Sequence, residues 1–339
     1  MQNTMNFLRK SFVILSVAVA AAFAFSCSEA TEEDDTLYME GYITFECPSY
    51  IGVGEYLTVT ASGVEYPDDP SYKWYVAMVA TDTLRAKTIT VQFPDSLGEF
   101  TLTAFAEHAG FYNSSAEATI TTVDVEKSFT GFADSGKYFF DNRDGQTYSY
   151  VTLGQLDWFA QNLAYTGAGA AYEGSTILHP FMGRYYTWTE ATGGVSGEGL
   201  GGGPQGVCPE GWTVPTAADW EDLALAVSGE EHAFLDKWED LAAPTSAEVY
   251  FNGTKMWAYN PDNDHNNASG WNAIPSGYCQ GENEFSTLDE YGFWWSAVQK
   301  SDGQAYYRYQ YVDMSSFPVS SANKEGLAAS VRCVRIASR

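Results

Sequence analysis

The sequence predicts a mainly β chain in which an N-terminal β-sandwich precedes a C-terminal α+β domain. Aromatic residues make up 16 % of the 339 residues and lysine is scarce beside glycine, a composition typical of β-rich secreted proteins. Short β-branched or aromatic runs alternate with turn signals in residues 37–125, which is typical of a sandwich. Beyond residue 128 the pattern changes to one clear helix that follows a cysteine and a last strand that contains another, which predicts a second domain.

The N-terminus carries the pattern of a bacterial export signal. A basic start precedes an apolar run at 12–25 that is too short to span a bilayer comfortably, so residues 1–26 are predicted to be a signal peptide. The segment Ala24-Phe25-Ser26-Cys27 resembles the lipobox of bacterial lipoproteins, which implies that Cys27 is the lipidated first residue of the mature chain. The alternative is an ordinary signal that is cut nearby, with no role for Cys27.

Residues 27–36 form an acidic segment directly after this cysteine. Five of the eight residues from Ser28 to Asp35 are carboxylic acids, which is typical of a solvated tether. The segment also resembles the acidic export signal that follows the lipidated cysteine in surface lipoproteins of Bacteroidetes, and the two interpretations are compatible. The resemblance implies a lipid-anchored protein of the outer membrane that is exposed at the cell surface.

The charge of the chain excludes some partners. The formal net charge is −27, and removal of residues 1–26 takes away Arg9 and Lys10 but no acid, so it becomes −29. Such a field repels phosphates, so we expect no nucleic-acid partner. A lipid at the N-terminus would have to supply the affinity for a membrane, because the protein surface would not.

Residues 37–125 are predicted to form the sandwich. Trp74 lies in the middle of a predicted strand, where a sandwich core takes a large aromatic side chain. In pattern and size the stretch is similar to the immunoglobulin-like and polycystic-kidney-disease-like spacer modules of bacterial surface proteins. The predicted strands are residues 38–45, 56–61, 72–79, 88–93, 100–106 and 116–123.

Two helices are predicted in the second half of the chain. Thr216 and Asp219 have the spacing of a capping box, and Gly229 supplies a left-handed residue after the last turn. Between them, apolar residues recur at helical spacing: Trp220, Leu223, Ala224 and Val227. A second apolar set predicts a second helix: Phe234, Leu235, Trp238 and Leu241.

An ordered set of blocks gives residues 128–339 a family resemblance. The set begins with a hairpin at 140–148 and ends with a short strand at 330–335; the blocks between them are 151–163, 183–188, 207–223, 269–278 and 291–296. In this order they strongly resemble the Fibrobacter succinogenes major paralogous domain. The resemblance implies a C-type-lectin-like α+β fold, related to the sulfatase modifiers, with two helices, twisted antiparallel strands and long loops.

Four cysteines remain after Cys27, and from the residues alone three pairings are open: they are Cys47, Cys208, Cys279 and Cys333. Export to an oxidising compartment favours disulfides. The resemblance implies a bridge between Cys208 and Cys333, since both lie in matching blocks, and leaves Cys47 and Cys279 unpaired. A cysteine at 279 departs from the family pattern.

No catalytic, metal or cofactor site is predicted. The G-x-G-x-x-G at 197–202 lies in a glycine-rich run and lacks the preceding strand and following helix of a dinucleotide site, so it is interpreted as a loop. The four histidines are far apart in the sequence. Sulfatase modifiers use a pair of reactive cysteines, whereas Cys279 would stand alone, which disfavours an enzyme.

The ligand surface is predicted within residues 250–270, a stretch that matches no family block. Trp257 and Tyr259 are expected to be exposed, with Trp257 stacking on a sugar ring, while Asp262, Asp264 and Asn266 would bind hydroxyls or a calcium ion. An ordinary solvated insertion is the alternative. Residues 306–311 place tyrosines on both faces of a strand; one face is core, and the other either stacks on a sugar or protects the sheet.

The predicted function is that of a lipid-anchored, non-enzymatic binding or adhesion protein that holds a glycan or another surface protein through its lectin-like domain. The first alternative is a structural subunit of the cell envelope or of a surface appendage, with no small ligand. The second is an enzyme related to the sulfatase modifiers. A binding surface would favour the first function, a packing surface the structural subunit and a reactive group the enzyme.

Overall fold

A computed structural model of the chain describes residues 36–77, 84–258, 263–281 and 283–338. Strands account for 39 % and helices for 10 % of the structure, which confirms the prediction of a mainly β chain. Among the described residues, no helix is long and apolar enough to cross a membrane. Cys27 and two of the predicted ligand residues, Tyr259 and Asp262, lie outside the described residues.

The N-terminal region spans residues 36–123, and its described residues form eight strands in three sheets. One sheet has four strands in the order β2-β8-β7-β5, with β2 parallel to β8, and two sheets have two strands each, β1-β4 and β3-β6. The predicted strands lie within one to three residues of observed ones, while β2 and β4 were not predicted. The bounds are β1 Glu40–Thr44, β2 Tyr50–Gly52, β3 Tyr56–Thr60, β4 Ser62–Tyr66, β5 Ser71–Val76, β6 Thr88–Gln92, β7 Glu99–Glu107 and β8 Ser114–Val123.

This region has a core of its own around Trp74. Alternate residues of β3, β6 and β7 point inward, as a half-buried strand requires, and bury mainly valine, leucine, isoleucine and phenylalanine. Trp74 is fully buried; its indole Nε1 donates a hydrogen bond to the carbonyl of Ala86, 2.8 Å away, and Phe45 meets its ring edge-on. The buried indole N–H is therefore satisfied.

The C-terminal region spans residues 124–338, and its described residues form thirteen strands and four helices among irregular segments. Its sheets have the orders β21-β11-β10-β9, β12-β20-β15-β16, β17-β18-β19 and β13-β14. The strands are β9 Tyr138–Phe140, β10 Thr147–Leu153, β11 Leu156–Phe159, β12 Tyr186–Thr187, β13 Tyr250–Phe251, β14 Thr254–Lys255, β15 Tyr278–Gln280, β16 Glu284–Ser286, β17 Tyr291–Ser301, β18 Gln304–Tyr311, β19 Val319–Asn323, β20 Leu327–Ala329 and β21 Val334–Ile336; the helices are α1 His179–Met182, α2 Trp188–Thr192, α3 Ala217–Ser228 and α4 Ala242–Thr245, with a 3-10 turn at Tyr172–Gly174.

The first predicted helix is confirmed with both of its caps. The hydroxyl of Thr216 accepts from the backbone N–H of Asp219, and the Asp219 carboxylate accepts from the backbone N–H of Thr216, 2.8 Å away. Gly229 ends the helix in the left-handed conformation, with φ at 79°. The glycine-rich run before α3 forms a loop, and Gly201 donates a hydrogen bond to Asp219.

The second predicted helix is wrong. Trp238 and Asp240 have positive φ angles of 55° and 59°, which a right-handed helix does not tolerate, and only the four-residue α4 follows. The segment instead wraps around the buried guanidinium of Arg308, which donates hydrogen bonds to the carbonyls of Phe234 and Asp236 and stacks on Trp238. The apolar spacing reflects side chains folded around this cation, and Leu235 is 61 % exposed.

The closing strand is shorter than the predicted 330–335, because the chain turns Arg332 into the core between β20 and β21. Its guanidinium is fully buried and donates to the carbonyls of Phe159, Trp271 and Asn272 and to the side-chain oxygen of Asn162. Burial lowers the pKa of Arg332 to about 9 and that of Arg308 to about 8. Both values lie above 7, so both guanidinium groups remain charged at neutral pH.

The two regions meet at the tip of the hairpin β13–β14. Asn252 and Gly253 form this turn with positive φ at both positions, as two-residue hairpin turns prefer. The Asn252 amide donates to the carbonyl of Thr122 in β8, 2.8 Å away, and its oxygen accepts from the Asp124 backbone N–H and from the Ser128 hydroxyl. One side chain thus ties the hairpin to the segment that leaves the N-terminal region.

Candidate functional site

An open aromatic cleft lies between two sheets of the C-terminal region. Gly277, just before β15, pairs with Gly292 in β17, and Ser330, just after β20, pairs with Trp294, so β17 joins the sheet of β15 and β20 to the sheet of β17, β18 and β19. The cleft has a volume of about 710 Å³. Five aromatic residues line it: Tyr278, Tyr291, Phe293, Tyr307 and Tyr309.

Strand register brings these rings to one face. Tyr291 pairs with Tyr311 and Phe293 with Tyr309, and in an antiparallel pair directly opposite residues point to the same side. The rings of Tyr291 and Phe293 are 5.4 Å apart between centroids, and those of Phe293 and Tyr309 are 6.0 Å apart. Across the cleft, Tyr278 meets Phe293 edge-on at 5.1 Å. The result is a continuous aromatic lining.

The opposite face of the same strand is polar and yet buried. Arg308 and Gln310 alternate with the tyrosines and are almost completely buried, while Tyr307 and Tyr309 remain half-exposed. Gln310 is held inward by hydrogen bonds with Thr245 and Ser246, at 2.6 and 2.7 Å. The usual distribution is therefore inverted on β18, because carbonyls and hydroxyls satisfy the inward polar groups and leave the aromatic side facing outward.

The rim of the cleft is polar and uncharged. Gln280, Ser320 and Asn323 contribute amides and a hydroxyl, and no residue that lines the cleft in the described part of the chain is an acid, a base or a histidine. Burial raises the pKa of the Tyr307 phenol, so this group is neutral at pH 7, and its hydrogen bond with Ser320 opposes the rise. The lining is thus neutral in a protein whose surface is strongly acidic.

The floor of the cleft rests on a core that contains the disulfide. Cys208 and Cys333 are bridged, with 5.8 Å between their Cα atoms, and both are fully buried. Phe293 and Trp295 of β17 belong to the same hydrophobic cluster as the two half-cystines. Cross-linking of this core holds the aromatic floor in place.

The geometry agrees with a family match. Residues 151–335, more than half of the chain, match the sequence model of the Fibrobacter succinogenes major domain. The chain belongs to this family. Among curated proteins, none matches the chain.

The cleft and the disulfide both lie inside the Fibrobacter succinogenes major domain as matched. The pairing of Cys208 with Cys333, which the resemblance implied, is confirmed. Cys47 and Cys279 are free thiols; Cys279 is buried, and burial raises its pKa, which disfavours the reactive thiolate. The N-terminal region lies outside the matched residues.

The expectation that Trp257 is exposed is wrong. Its side chain has no exposed surface, its indole Nε1 donates to the carbonyl of Ala273 at 3.2 Å, and its ring stacks on His265 at 5.1 Å between centroids. A ring packed in this way has no face to offer to a sugar. The sequence signal misled because Trp257 lies in a stretch rich in Asn and Asp, whereas in space His265 and the Trp271 segment pack against it.

Two other predicted ligand residues do line a surface depression. Asp264 and Asn266 lie with Glu248 and Tyr250 around a shallow groove of about 650 Å³ next to residues 131–133. Within the described residues, no group of three or more His, Cys, Asp or Glu side chains has an arrangement that could hold a metal ion. The predicted loop and the aromatic cleft are thus separate surfaces with different chemistry, one acidic and one neutral.

The cleft residues Tyr278, Tyr291 and Phe293 were not predicted as a site. Alternation of tyrosines on β18 was visible in the sequence, and so was the aromatic run of β17. What was missing was the register that sets the two strands face to face, because strands far apart in sequence reveal their pairing only in the fold. A search for alternating aromatics on two neighbouring strands would have found the cleft.

Proposed function

We propose that this chain is a non-enzymatic binding or adhesion protein that is displayed at the cell surface and holds its ligand in the aromatic cleft. The observation that carries the proposal is the set of half-exposed rings of Tyr278, Tyr307 and Tyr309 above a rigid, disulfide-linked core. Buried aromatic anchors inside a polar rim are the usual source of binding energy in recognition sites.

The polar tips of these rings support the same proposal. The hydroxyls of Tyr278, Tyr291 and Tyr309 make no hydrogen bond within the described part of the chain, so each remains able to donate and accept. Tyrosine gives a large contact area with few rotatable bonds, which is why binding surfaces are enriched in it. A ligand could therefore gain apolar contact and hydrogen bonds at the same residues.

We further propose that Cys27 carries the lipid that anchors the protein in the outer membrane. The basic start, the short apolar run and the residues before Cys27 support the anchor, and the acidic tether at 27–36 supports exposure at the cell surface. The change Cys27→Ser is expected to move the protein from the membrane fraction to the soluble fraction. A variant that stays in the membrane fraction and keeps the processing of the wild type would contradict the anchor.

In this proposal the N-terminal region is an immunoglobulin-like or polycystic-kidney-disease-like spacer, and the C-terminal region is a lectin-like domain. The N-terminal region has its own core and joins the C-terminal region through the Asn252 turn, which would hold the cleft at a set distance from the tether. The division proposed is residues 37–125 for the spacer and 128–339 for the binding domain.

Arrays of glycans and of surface proteins, probed with the full chain, test the binding function. We expect at least one immobilised glycan or surface protein to bind the chain, and we expect the double change Tyr307→Ala and Tyr309→Ala to abolish this binding. The change Tyr56→Ser, at an exposed tyrosine on β3, is the matched control. If no immobilised species binds the chain, or if the double variant binds as the wild type does, the cleft has no binding function and the structural-subunit alternative is favoured.

A further inference from the structure

We infer that the aromatic cleft binds a neutral carbohydrate chain, laid between the wall of Tyr278 and Gln280 and the face of β17, β18 and β19. This inference rests on the proposed binding function and specifies its ligand class. It depends on three features of the cleft: the absence of charge in its described lining, the aromatic lining itself and the free hydrogen-bonding groups at its rim.

The charge distribution decides against ionic ligands. The chain has 44 acidic and 17 basic residues, so its long-range field disfavours anions such as uronate or sulfated chains. A cationic ligand would need carboxylates at the contact, and the described lining has none. The electric field of the protein neither strengthens nor weakens the binding of an uncharged ligand, so the cleft suits a neutral ligand best.

The lining suits the two kinds of surface on a sugar ring. A pyranose has apolar C–H faces and a belt of hydroxyls, so it is best held by aromatic rings beside groups that both donate and accept hydrogen bonds. Tyr307 and Tyr278 provide half-exposed rings in one cleft, each inclined steeply to Phe293 on its floor, at 60° and 81°. The steep inclination prevents these rings from stacking fully on their neighbour and leaves ring surface for a ligand.

The rim contributes unoccupied amides. The side chain of Gln280 is exposed and makes no hydrogen bond among the described residues, so both its oxygen and its nitrogen are available. Asn323 accepts from the backbone N–H groups of Glu325 and Gly326 through its side-chain oxygen, both at 2.9 Å, which orients the amide and leaves its NH₂ free to donate. One amide belongs to β15 and the other to β19.

The length of the aromatic face favours a chain over a single sugar. Tyr307 and Tyr311 are four residues apart on β18, which corresponds to about 13 Å along the strand. Tyr311 continues the row beyond the cleft and stacks on Tyr291 of the lining, with 4.4 Å between their ring centroids. A face of this length offers contacts to consecutive sugar rings, so affinity is expected to rise with chain length.

The test is calorimetric titration of the full chain with four neutral hexasaccharides and one charged counterpart. The neutral probes are cellohexaose, xylohexaose, mannohexaose and maltohexaose, and the charged probe is hexagalacturonate. We expect at least one neutral probe to bind, its disaccharide to bind more weakly, and its affinity to be the same at low and high salt. Hexagalacturonate is expected to bind at least about tenfold more weakly, if at all.

Three variants locate the binding. Tyr309→Ala is expected to lower the affinity for the bound probe about tenfold or more, as truncation of an aromatic anchor does. Gln280→Ala, at an exposed residue where folding is not at risk, is expected to weaken it several-fold, and Tyr56→Ser on the N-terminal region is expected to have no effect. Unchanged melting temperatures would show that the losses arise from the cleft.

The inference is overturned if none of the four neutral probes binds, if hexagalacturonate binds as tightly as they do, or if Tyr309→Ala and Gln280→Ala leave the affinity unchanged. The protein array separates this failure from failure of the proposed function. If an immobilised protein binds the chain through Tyr307 and Tyr309 while no hexasaccharide binds, the cleft is a binding site and only its ligand class is wrong. If array and titration both fail, the binding function is wrong as well.

Discussion

The N-terminal and C-terminal regions bury their apolar residues in different ways. The N-terminal core is built by regular alternation along strands, and Trp74 is its single tryptophan. The other nine of the ten tryptophans lie in the C-terminal region, and all are buried there, together with two guanidinium groups and the disulfide. Regular strands can be stabilised by alternation alone, whereas irregular segments need large side chains and internal polar anchors to hold one conformation.

The largest expected effect concerns the cross-link, which only the C-terminal region has. The bridge joins cysteines 125 residues apart, and closing a loop of that length is worth about 5 kcal/mol in the chain-entropy account. We expect the paired change Cys208→Ser and Cys333→Ser to lower the free energy of unfolding of the C-terminal region by several kcal/mol. Denaturant unfolding followed by tryptophan fluorescence measures it.

The comparison requires that the N-terminal region is unaffected by this change. Hydrogen exchange of the strands around Trp74 provides the control, since their core shares no residue with the disulfide cluster. An equal loss of protection from hydrogen exchange in both regions would mean that they unfold as one unit, which would contradict the difference between the two regions.

The second prediction concerns the buried guanidinium of Arg332. Arg332→Met removes four donated hydrogen bonds, so three carbonyls in the core lose this donor and the Asn162 oxygen keeps only the bond from Trp294. We expect the free energy of unfolding to fall by about 3–5 kcal/mol. The matched control is Arg85→Met, at an exposed arginine of the N-terminal region, with an expected change within about 0.5 kcal/mol. Urea denaturation of both variants measures the difference, and equal small effects would show that the internal cation does not stabilise the fold.

The third prediction is a dependence of stability on pH that arises in the C-terminal region. Burial lowers the pKa of His265 to about 4, with Lys255, Asp264 and Glu248 as the charged groups around it. Because the unfolded chain binds this proton more readily, the neutral imidazole contributes stability above about pH 6.5, and this contribution is lost as the pH falls towards 4. By 1.36 kcal/mol per pKa unit, the effect is about 3 kcal/mol.

His265→Phe isolates this effect, since it keeps a ring against Trp257 and removes the titration. The stability of the variant relative to the wild type is expected to rise as the pH falls from 6.5 to 4. Parallel profiles for the wild type and His265→Phe would contradict the prediction.

The smallest predicted effect concerns the contact between the regions. Asn252→Gly keeps the positive φ of the turn and removes three hydrogen bonds, to Thr122, Asp124 and Ser128. We expect the coupling free energy between the two regions to fall by about 1–3 kcal/mol. Calorimetry should show the two regions melting further apart. Asn283→Gly, at another positive-φ turn between β15 and β16, is the control, and the same change in both variants would show that the Asn252 bonds do not couple the regions.

The same contrast explains how much the sequence could predict. Alternation along the strands around Trp74, the caps at Thr216 and Gly229 and the hairpin after β9 depend on neighbouring residues, so local patterns revealed them. The bridge between Cys208 and Cys333 was accessible only through the family resemblance. Local information was sufficient wherever the structure is regular.

Prediction failed where distant residues decide the conformation. The apolar spacing at Phe234 and Trp238 imitates a helix, but the carbonyls of this segment bind Arg308, which lies 70 residues further along the chain. Trp257 lies in a stretch rich in Asn and Asp and is nonetheless buried against the Trp271 segment. The cleft depends on the pairing of β17 with β18 and on its junction with β15, neither of which a local pattern contains.

Hydroxyl-radical footprinting of tyrosines, with and without the neutral hexasaccharides, tests the central claim that the C-terminal cleft is the ligand-binding surface. We predict that a bound hexasaccharide protects Tyr278, Tyr307 and Tyr309 and leaves the exposed tyrosines of the N-terminal region, such as Tyr42 and Tyr56, as reactive as before. Protection of the N-terminal tyrosines, or of Tyr250 beside the acidic groove, with an unprotected cleft would contradict it.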